Sequence, residues 1–406
     1  MSMLFDDGVV GEHVDDYRRT VRSVIERDIV PLVRPAADAG LFPREALSRL
    51  GAAGLIRQRW TDQAGDPGRA AILHEEMAAA GCAGVAVGVT LVMETVAGAL
   101  LRFGHSPQLR KTLDGVLEGD LVGCFGASEV TGGSDLSGIR SSVRRERDGW
   151  RVRAEKKYLS LGRACDFALL LCRVEREERA RTLQPLAIVM VPGESLRVVK
   201  PLHKAGAAAL DTTWMACDTW VPDEAMLGRP GLGLVMASEA LTYERVAVAA
   251  HCVGVGSRAL TLAAAHLHRR TQFGQPLICH QALRLRLADL TSQLAVLRHA
   301  VCGAAAAASR SGGRTTVREA AALKVTAARL IERVTSESMH FFGGAGYLED
   351  ETPMAALWRD ARLARIGAGT DEVLWEIVAN GIVPDFRTYD TCVNLTENAA
   401  VTEELT

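Results

Sequence analysis

The sequence predicts an α+β fold, mostly α, in which a helical first third precedes a β-rich middle and a helical last third. Three observations carry this expectation. Apolar residues recur at helical spacing towards both ends of the chain, in runs rich in alanine, leucine and arginine. Between Leu121 and about Ala216, short β-branched runs are separated by Asp-Gly, Pro-Gly and glycine-rich turns, the pattern of an antiparallel sheet. Alternating β/α units are missing, which disfavours a doubly wound nucleotide fold. A chain of 406 residues also exceeds what one hydrophobic core usually holds, so two or three packed units are expected.

The elements follow in order. Residues 1–120 read as an all-α unit, with helical runs over Tyr17–Leu32, Arg44–Ala53 and Ala70–Ala80 and with Gly51, Gly54 and Gly81 as punctuation. Residues 121–234 read as the antiparallel β unit, with strands in VGCFGAS, SSVRRE, GWRVRAE, FALLLCRV, PLAIVMV and LRVVK. Pro222 and the run LGRPGLGL close it. Residues 235–385 return to helix over Val235–Arg269, Gln281–Ser309, Thr316–Phe342 and Asp371–Gly381. Residues 386–406 read as a loose polar tail.

Composition removes several classes of function. Hydrophobic residues make up 48% and charged residues 24%, an ordinary globular balance. With 47 basic and 49 acidic side chains and no basic stripe, nucleic acid is a poor partner. No uninterrupted apolar run of about 18 residues occurs, so a membrane span is not expected. The acidic, polar N-terminus does not resemble a signal peptide. Nine scattered cysteines without a CxxC pair argue against a disulfide framework or zinc site and fit a reducing cytoplasm. His251, His266, His268 and His280 form no metal constellation, and no metal is expected.

Four distant segments could carry chemistry. In FGASEVTGGSDLSG (Phe125–Gly138), Gly132 and Gly133 let backbone N–H groups approach a ligand, and Ser128, Thr131 and Ser134 add hydroxyls. A plain polar turn would carry the same residues. In KKYLSLG, two-residue spacing puts Tyr158 and Ser160 on one face of a strand, able to stack a flat ring and bond its edge. A half-buried strand fits equally. In TYERVAVAA, Glu244 and Arg245 project roughly 100° apart on a helix. Such a pair usually lies on a solvated face, but the apolar flanks admit a semi-buried carboxylate. In the last segment, FFGGAGY…WRDARLARIGAGT, Gly343, Gly344 and Gly346 permit a backbone cradle for a phosphate or adenosine, or a simple helix C-cap.

Together these segments resemble the acyl-CoA dehydrogenase family in type, order and spacing. GASEVTGGSDLSG looks like its first signature, KKYLSLG like the strand that presents an aromatic and a hydroxyl to a flavin, and WRDARLARIGAGTDEV like its C-terminal signature. RRTQFGQPLICHQALRLRLADL is similar to the family's Arg-x-x-Phe-Gly segment and the Gln-led helix after it. The resemblance covers nearly all of residues 10–385. It implies a middle β domain and a C-terminal four-helix bundle with FAD between them, partly across a subunit interface of a homotetramer or homodimer. By the same resemblance, Phe125, Ala127, Ser128, Gly133, Ser134, Tyr158 and Ser160 would line the flavin and its ribityl chain. Arg270, Phe273, Gln281, Gly343 and Gly344 would reach FAD from a neighbouring subunit, and Thr370 and Glu372 would contact it after the catalytic loop. Ser134, Arg245, Gly367 and Ala368 would lie near the thioester.

The departures from the family pattern also inform. Val130 and Thr131 stand where Pro-Gly is common, and His340 replaces a usual Gln or acidic residue. Most members carry the base in a Tyr-Glu-Gly-Thr loop, whereas here that loop reads Gly367-Ala368-Gly369-Thr370, and alanine cannot take a proton. The isovaleryl-CoA and long-chain branches place Glu on the helix instead, and TYER matches them with Glu244. The resemblance thus implies α,β-dehydrogenation of an acyl-CoA or acyl-carrier-protein thioester, with Glu244 taking the α proton and flavin N5 the β hydride. An electron-transfer flavoprotein is the expected electron acceptor. Two other readings stay open at this point: a flavin-dependent monooxygenase or nitrososynthase of the same fold, and a catalytically silent binding subunit.

Overall fold

The structure is a computed structural model, and it describes residues 12–61, 65–175, 185–313 and 315–393. The N-terminal helices are α1 (Glu12–Val24), α2 (Val30–Ala39), α3 (Glu45–Ala52), α4 (Leu55–Arg59), α5 (Pro67–Ala79), α6 (Ala83–Thr90), α7 (Ala97–Phe103) and α8 (Pro107–Glu118). Their ends follow local sequence. Asp66 accepts the Arg69 N–H at 3.1 Å and Ser106 the Leu109 N–H at 3.2 Å, each just before a proline that opens its helix. Between α6 and α7 the chain does not break; it passes through a π-helical turn, Leu91–Val96, that carries Glu94 and Thr95. A π turn admits one extra residue and so rotates the side chains that follow it.

The middle of the chain forms one sheet from β1 (Gly123–Gly126), β2 (Ser142–Glu146), β3 (Gly149–Ser160), β4 (Phe167–Val174), β5 (Leu186–Pro192), β6 (Arg197–Pro201), β7 (Thr212–Pro222) and β8 (Met226–Leu227). The strand order is β6-β7-β3-β2-β4-β5-β8, with β1 beside β4. The expected antiparallel sheet is in fact mixed, because β4 pairs in parallel with both β1 and β2. Parallel partners need a crossover, and the long Ala127–Ser141 loop plus the β2–β3 hairpin supply it. Strand β7 was not among the expected strands. At its start, buried Thr213 and Met215 alternate with half-buried Trp214 and Ala216, and only Val221 is buried further along, so the apolar contrast along it is weak.

The last third is built on α9 (Gly233–Arg269), a 37-residue helix. A two-strand hairpin, β9 (Thr271–Gln272) and β10 (Gln275–Pro276), leads to α10 (Gln281–Arg310) and α11 (Val317–Phe341). Short helices α12 (Gly344–Tyr347), α13 (Met354–Leu363), α14 (Asp371–Ala379) and α15 (Phe386–Cys392) follow. Leu260, Leu290, Leu294, Ile331 and Val334 form the core of this bundle, and α13 and α14 pack on α11 to complete it. Helix α9 also lies against α5. A Cβ at Gly254 would sit 2.1 Å from the Glu75 carbonyl oxygen, so only glycine allows that approach.

Two helical stretches, Ala83–Phe103 and Gly233–Arg269, are long and apolar enough to cross a membrane, and most of each is buried against the rest of the fold. The polar tail expected from residue 386 begins with α15 instead, capped by Asp385 on the Thr388 N–H at 3.0 Å. The segment from 394 onward lies outside the described residues.

Candidate active site

Glu244 faces inward from α9. It is 8% exposed, and the Thr95 hydroxyl donates to its Oε2 at 2.7 Å. Burial raises its pKa above the usual carboxylate value, and this outweighs the Thr95 hydrogen bond and the positive charges of Arg245 and Lys324. Among the described residues Glu244 makes no ion pair, because both cations are engaged elsewhere. Arg245 leaves the helix in another direction, as adjacent residues do, and its Nε donates to the Ala368 carbonyl at 3.0 Å. Lys324, fully buried on α11, donates to the Gly369 carbonyl at 2.6 Å. Burial lowers its pKa to about 8, against the opposing pull of Cys252, Asp371 and Glu244.

Two buried cations therefore clamp consecutive carbonyls of the Gly367–Thr370 loop. The loop needs such support. Ala368 has φ 56° and Gly369 φ 103°, and a left-handed alanine costs on the order of 1 kcal/mol or more. Arg365 closes the base of the loop, with its Nε 2.8 Å and its Nη2 2.6 Å from Asp371 Oδ2. The structure thus brings Glu244, Arg245, Gly367, Ala368 and Thr370 to one place. Glu372 stands exposed in the first turn of α14.

A second group gathers at the end of the sheet. Glu129, inside the GASEVTGGSD motif, is 5% exposed and accepts from Lys156 Nζ at 2.8 Å and from the N–H groups of Arg140 and Ser141 at 2.8 and 2.9 Å. Lys156 also donates to the carbonyls of Ala127 at 3.1 Å and Leu171 at 2.6 Å, so all three of its protons are used. Burial raises the Glu129 pKa, but Lys156 and the two N–H donors bring it below the ordinary value. This ion pair ties both ends of the motif to β3 and leaves Gly133 and Ser134 exposed at its tip.

The loop fits a flat, hydrogen-bonding ligand such as FAD. A Cβ at Gly133 would lie 2.8 Å from Ser128 Oγ, so the glycine keeps a backbone approach open. Among the described residues, the hydroxyls of Ser128, Ser134 and Ser160 have no protein partner. Phe125 and Ala127 are half-buried beside them. Tyr158 sits at a β-bulge with φ 66°, so strict alternation does not hold at that position. Its exposure and that of Ser160 nevertheless contrast with buried Leu159 between them.

A third group lies apart. Arg270 follows the far end of α9, roughly 40 Å from Glu244 at 1.5 Å per residue. Phe273 and Gly274 both have positive φ, 52° and 77°, as the two central residues of a type I′ hairpin turn. Phe273 is 93% exposed. Gln281, Gly343 and Gly344 are also exposed, and a Cβ at either glycine would meet nothing within 4 Å. Within one chain these residues cannot share a small ligand with Glu244.

Sequence reasoning missed Thr95, Lys324 and the Glu129–Lys156 pair as a clamp. Lys324 did leave a signal, as a lone cation in the alanine-rich run AAALKVTAA. Thr95 left none, since a threonine in an apolar helix is commonplace. The cavity of about 250 Å³ lined by Gln108, Leu121, Met190 and Trp220 lies between α8 and the sheet and includes none of these groups.

Comparison with known proteins identifies the family of the chain. The acyl-CoA dehydrogenase N-terminal, middle and C-terminal domain families match residues 11–120, 124–219 and 231–383. The chain is 40% identical to the acyl-[acyl-carrier-protein] dehydrogenase MbtN of Mycobacterium sp. (strain MCS), covering 94% of this chain and 96% of that one. It is 26% identical to the mitochondrial short-chain specific acyl-CoA dehydrogenase of Bos taurus, over 91% and 90% of the two chains. Butyryl-CoA dehydrogenase from Megasphaera elsdenii shares the fold with a TM-score of 0.84 and 27% identity, over 93% and 99% of the chains. A glutaryl-CoA dehydrogenase from Mycobacterium smegmatis, of like fold, was solved in complex with FADH2. The chain belongs to the acyl-CoA dehydrogenase family.

Proposed function

We propose that this protein is an FAD-dependent oxidoreductase that converts an acyl thioester to its α,β-enoyl thioester, with Glu244 as the base. One observation supports the base most directly. A buried carboxylate on α9 has no ion pair among the described residues, beside a loop in which Ala368 occupies the usual place of the glutamate.

In this reading the ionised Glu244 carboxylate takes the α proton and becomes a neutral acid. Burial makes it a stronger base than a solvated carboxylate. Arg245 and Lys324 hold the Ala368 and Gly369 carbonyls, which fixes the loop against the acyl group and keeps both cations from quenching the base. Bound FAD supplies the two-electron acceptor for the β hydride. Phe125, Ala127, Ser128, Gly133, Ser134, Tyr158 and Ser160 would hold the flavin, and Thr370 and Glu372 would contact it after the loop. Arg270, Phe273, Gln281, Gly343 and Gly344 would serve the FAD of a second copy, which their distance from Glu244 supports. The assembly would then be a homodimer or homotetramer.

The relatives at 40–41% identity are named for acyl-[acyl-carrier-protein] and those at 26% for acyl-CoA, which favours a carrier-protein thioester here. Reoxidation by an electron-transfer flavoprotein and a reducing cytoplasm, fitting nine free cysteines, complete the proposal. An anaerobic panel of straight, branched and carrier-bound thioesters tests it. Bleaching of the flavin is expected with at least one class. No bleaching with any thioester would favour oxygen chemistry or a silent subunit.

A further inference from the structure

Glu244 is held from an unexpected quarter. Its hydrogen-bond donor, Thr95, lies far away in sequence on the π-helical turn between α6 and α7. That turn is itself pinned. Glu94, the preceding residue, is 1% exposed and takes a paired contact from Arg59, whose Nε and Nη2 donate to Oε2 at 3.1 and 2.9 Å. His74 Nε2 lies 3.4 Å from the other oxygen, and the Thr90 hydroxyl meets His74 Nδ1 at 3.2 Å. Trp60 donates its indole N–H to the Met93 carbonyl at 2.7 Å, two residues before Thr95. Three consecutive residues of the turn, Met93, Glu94 and Thr95, are thus fixed by separate partners.

We propose that Thr95 is a positioning residue for the base, and that its hydroxyl holds Glu244 Oε2 so that Oε1 is left to take the α proton. This rests on the reading of Glu244 as base. In the step, Oε1 gains the proton while Oε2 keeps its hydrogen bond, and the Cα–H electron pair moves into the forming Cα–Cβ double bond; FAD, when bound, would supply the acceptor for the hydride lost from Cβ. The groups that face Glu244 are few: Arg245 on its own helix, Lys324 on α11 and Thr95 on the turn. Asp371 and Cys252 face Lys324 in turn. The two cations are bonded to loop carbonyls, so Thr95 is the donor that fixes the carboxylate plane. A hydroxyl donor also favours the ionised carboxylate, against the burial that opposes it.

The test uses the holoenzyme and reads Glu244 itself. Infrared difference titration follows the C=O stretch of the protonated carboxyl, assigned as the band absent from Glu244→Gln. In Thr95→Val, which keeps the shape and removes the donor, the midpoint should rise by about one pH unit and the band should shift in frequency. Thr95→Ser should restore both. The anaerobic flavin-bleaching rate below that midpoint should fall about tenfold in Thr95→Val, with melting temperatures of the variants setting aside a folding defect. An unchanged midpoint in a folded Thr95→Val protein overturns the proposal, as does a Thr95→Ser variant that behaves like valine. Full bleaching activity in Glu244→Gln would instead overturn the base assignment and leave the Thr95 bond intact.

Discussion

Burial of ionisable side chains decides how single residues behave in this protein. Glu244 has a raised pKa in the fold, so its share of stability is present below the unfolded-state value and is lost as pH rises through the folded value. Melting curves across that range should therefore fall with pH in the wild type and flatten in Glu244→Gln. Breaking the Glu129–Lys156 pair has a larger effect. Lys156→Met leaves a buried carboxylate without its cation and should cost about 3–5 kcal/mol in urea unfolding, whereas a double replacement by apolar residues recovers part of it. Sequence alone exposed these residues unevenly. Glu244 stands out in the sequence because Ala368 fills the place where the family resemblance expects a carboxylate, and the structure shows Glu244 buried. Thr95 does not, because its significance lies wholly in a contact across the fold.

At the level of elements, the site depends on how one short loop is held. The Gly367–Thr370 loop has few side chains of its own, and the ends of Arg245 and Lys324 hold its two middle carbonyls, those of Ala368 and Gly369. Lys324→Met should free the Gly369 carbonyl, speed hydrogen exchange at residues 366–370 and lower stability by about 1–3 kcal/mol. Unchanged exchange there would show that Arg365 and Asp371 suffice. Ala368→Gly should relax the positive φ and stabilise the loop by roughly 1 kcal/mol, read as a higher melting temperature. Helices α9, α10 and α11 were readable from periodicity because each is long. The parallel pairing of β4 with β1 and β2 was not, since pairing direction follows from loop paths rather than from the strands' own residues.

For the molecule as a whole, α9 separates two kinds of surface. One end carries the buried Glu244 carboxylate; the other presents Phe273 in a strained turn and almost fully exposed. An aromatic so placed is suited to a partner copy. Phe273→Ala should weaken self-association in sedimentation and lower the flavin retained per chain, while leaving Glu244 and its loop unchanged. A variant with wild-type assembly and flavin content would remove that residue from the interface. The central claim, that Glu244 supplies proton abstraction in an acyl-thioester dehydrogenase, is tested most directly by anaerobic mixing of flavin-loaded wild type and Glu244→Gln with a thioester that bleaches the wild-type flavin. The account predicts loss of bleaching in Glu244→Gln with flavin content and fold retained. Bleaching at the wild-type rate would contradict it.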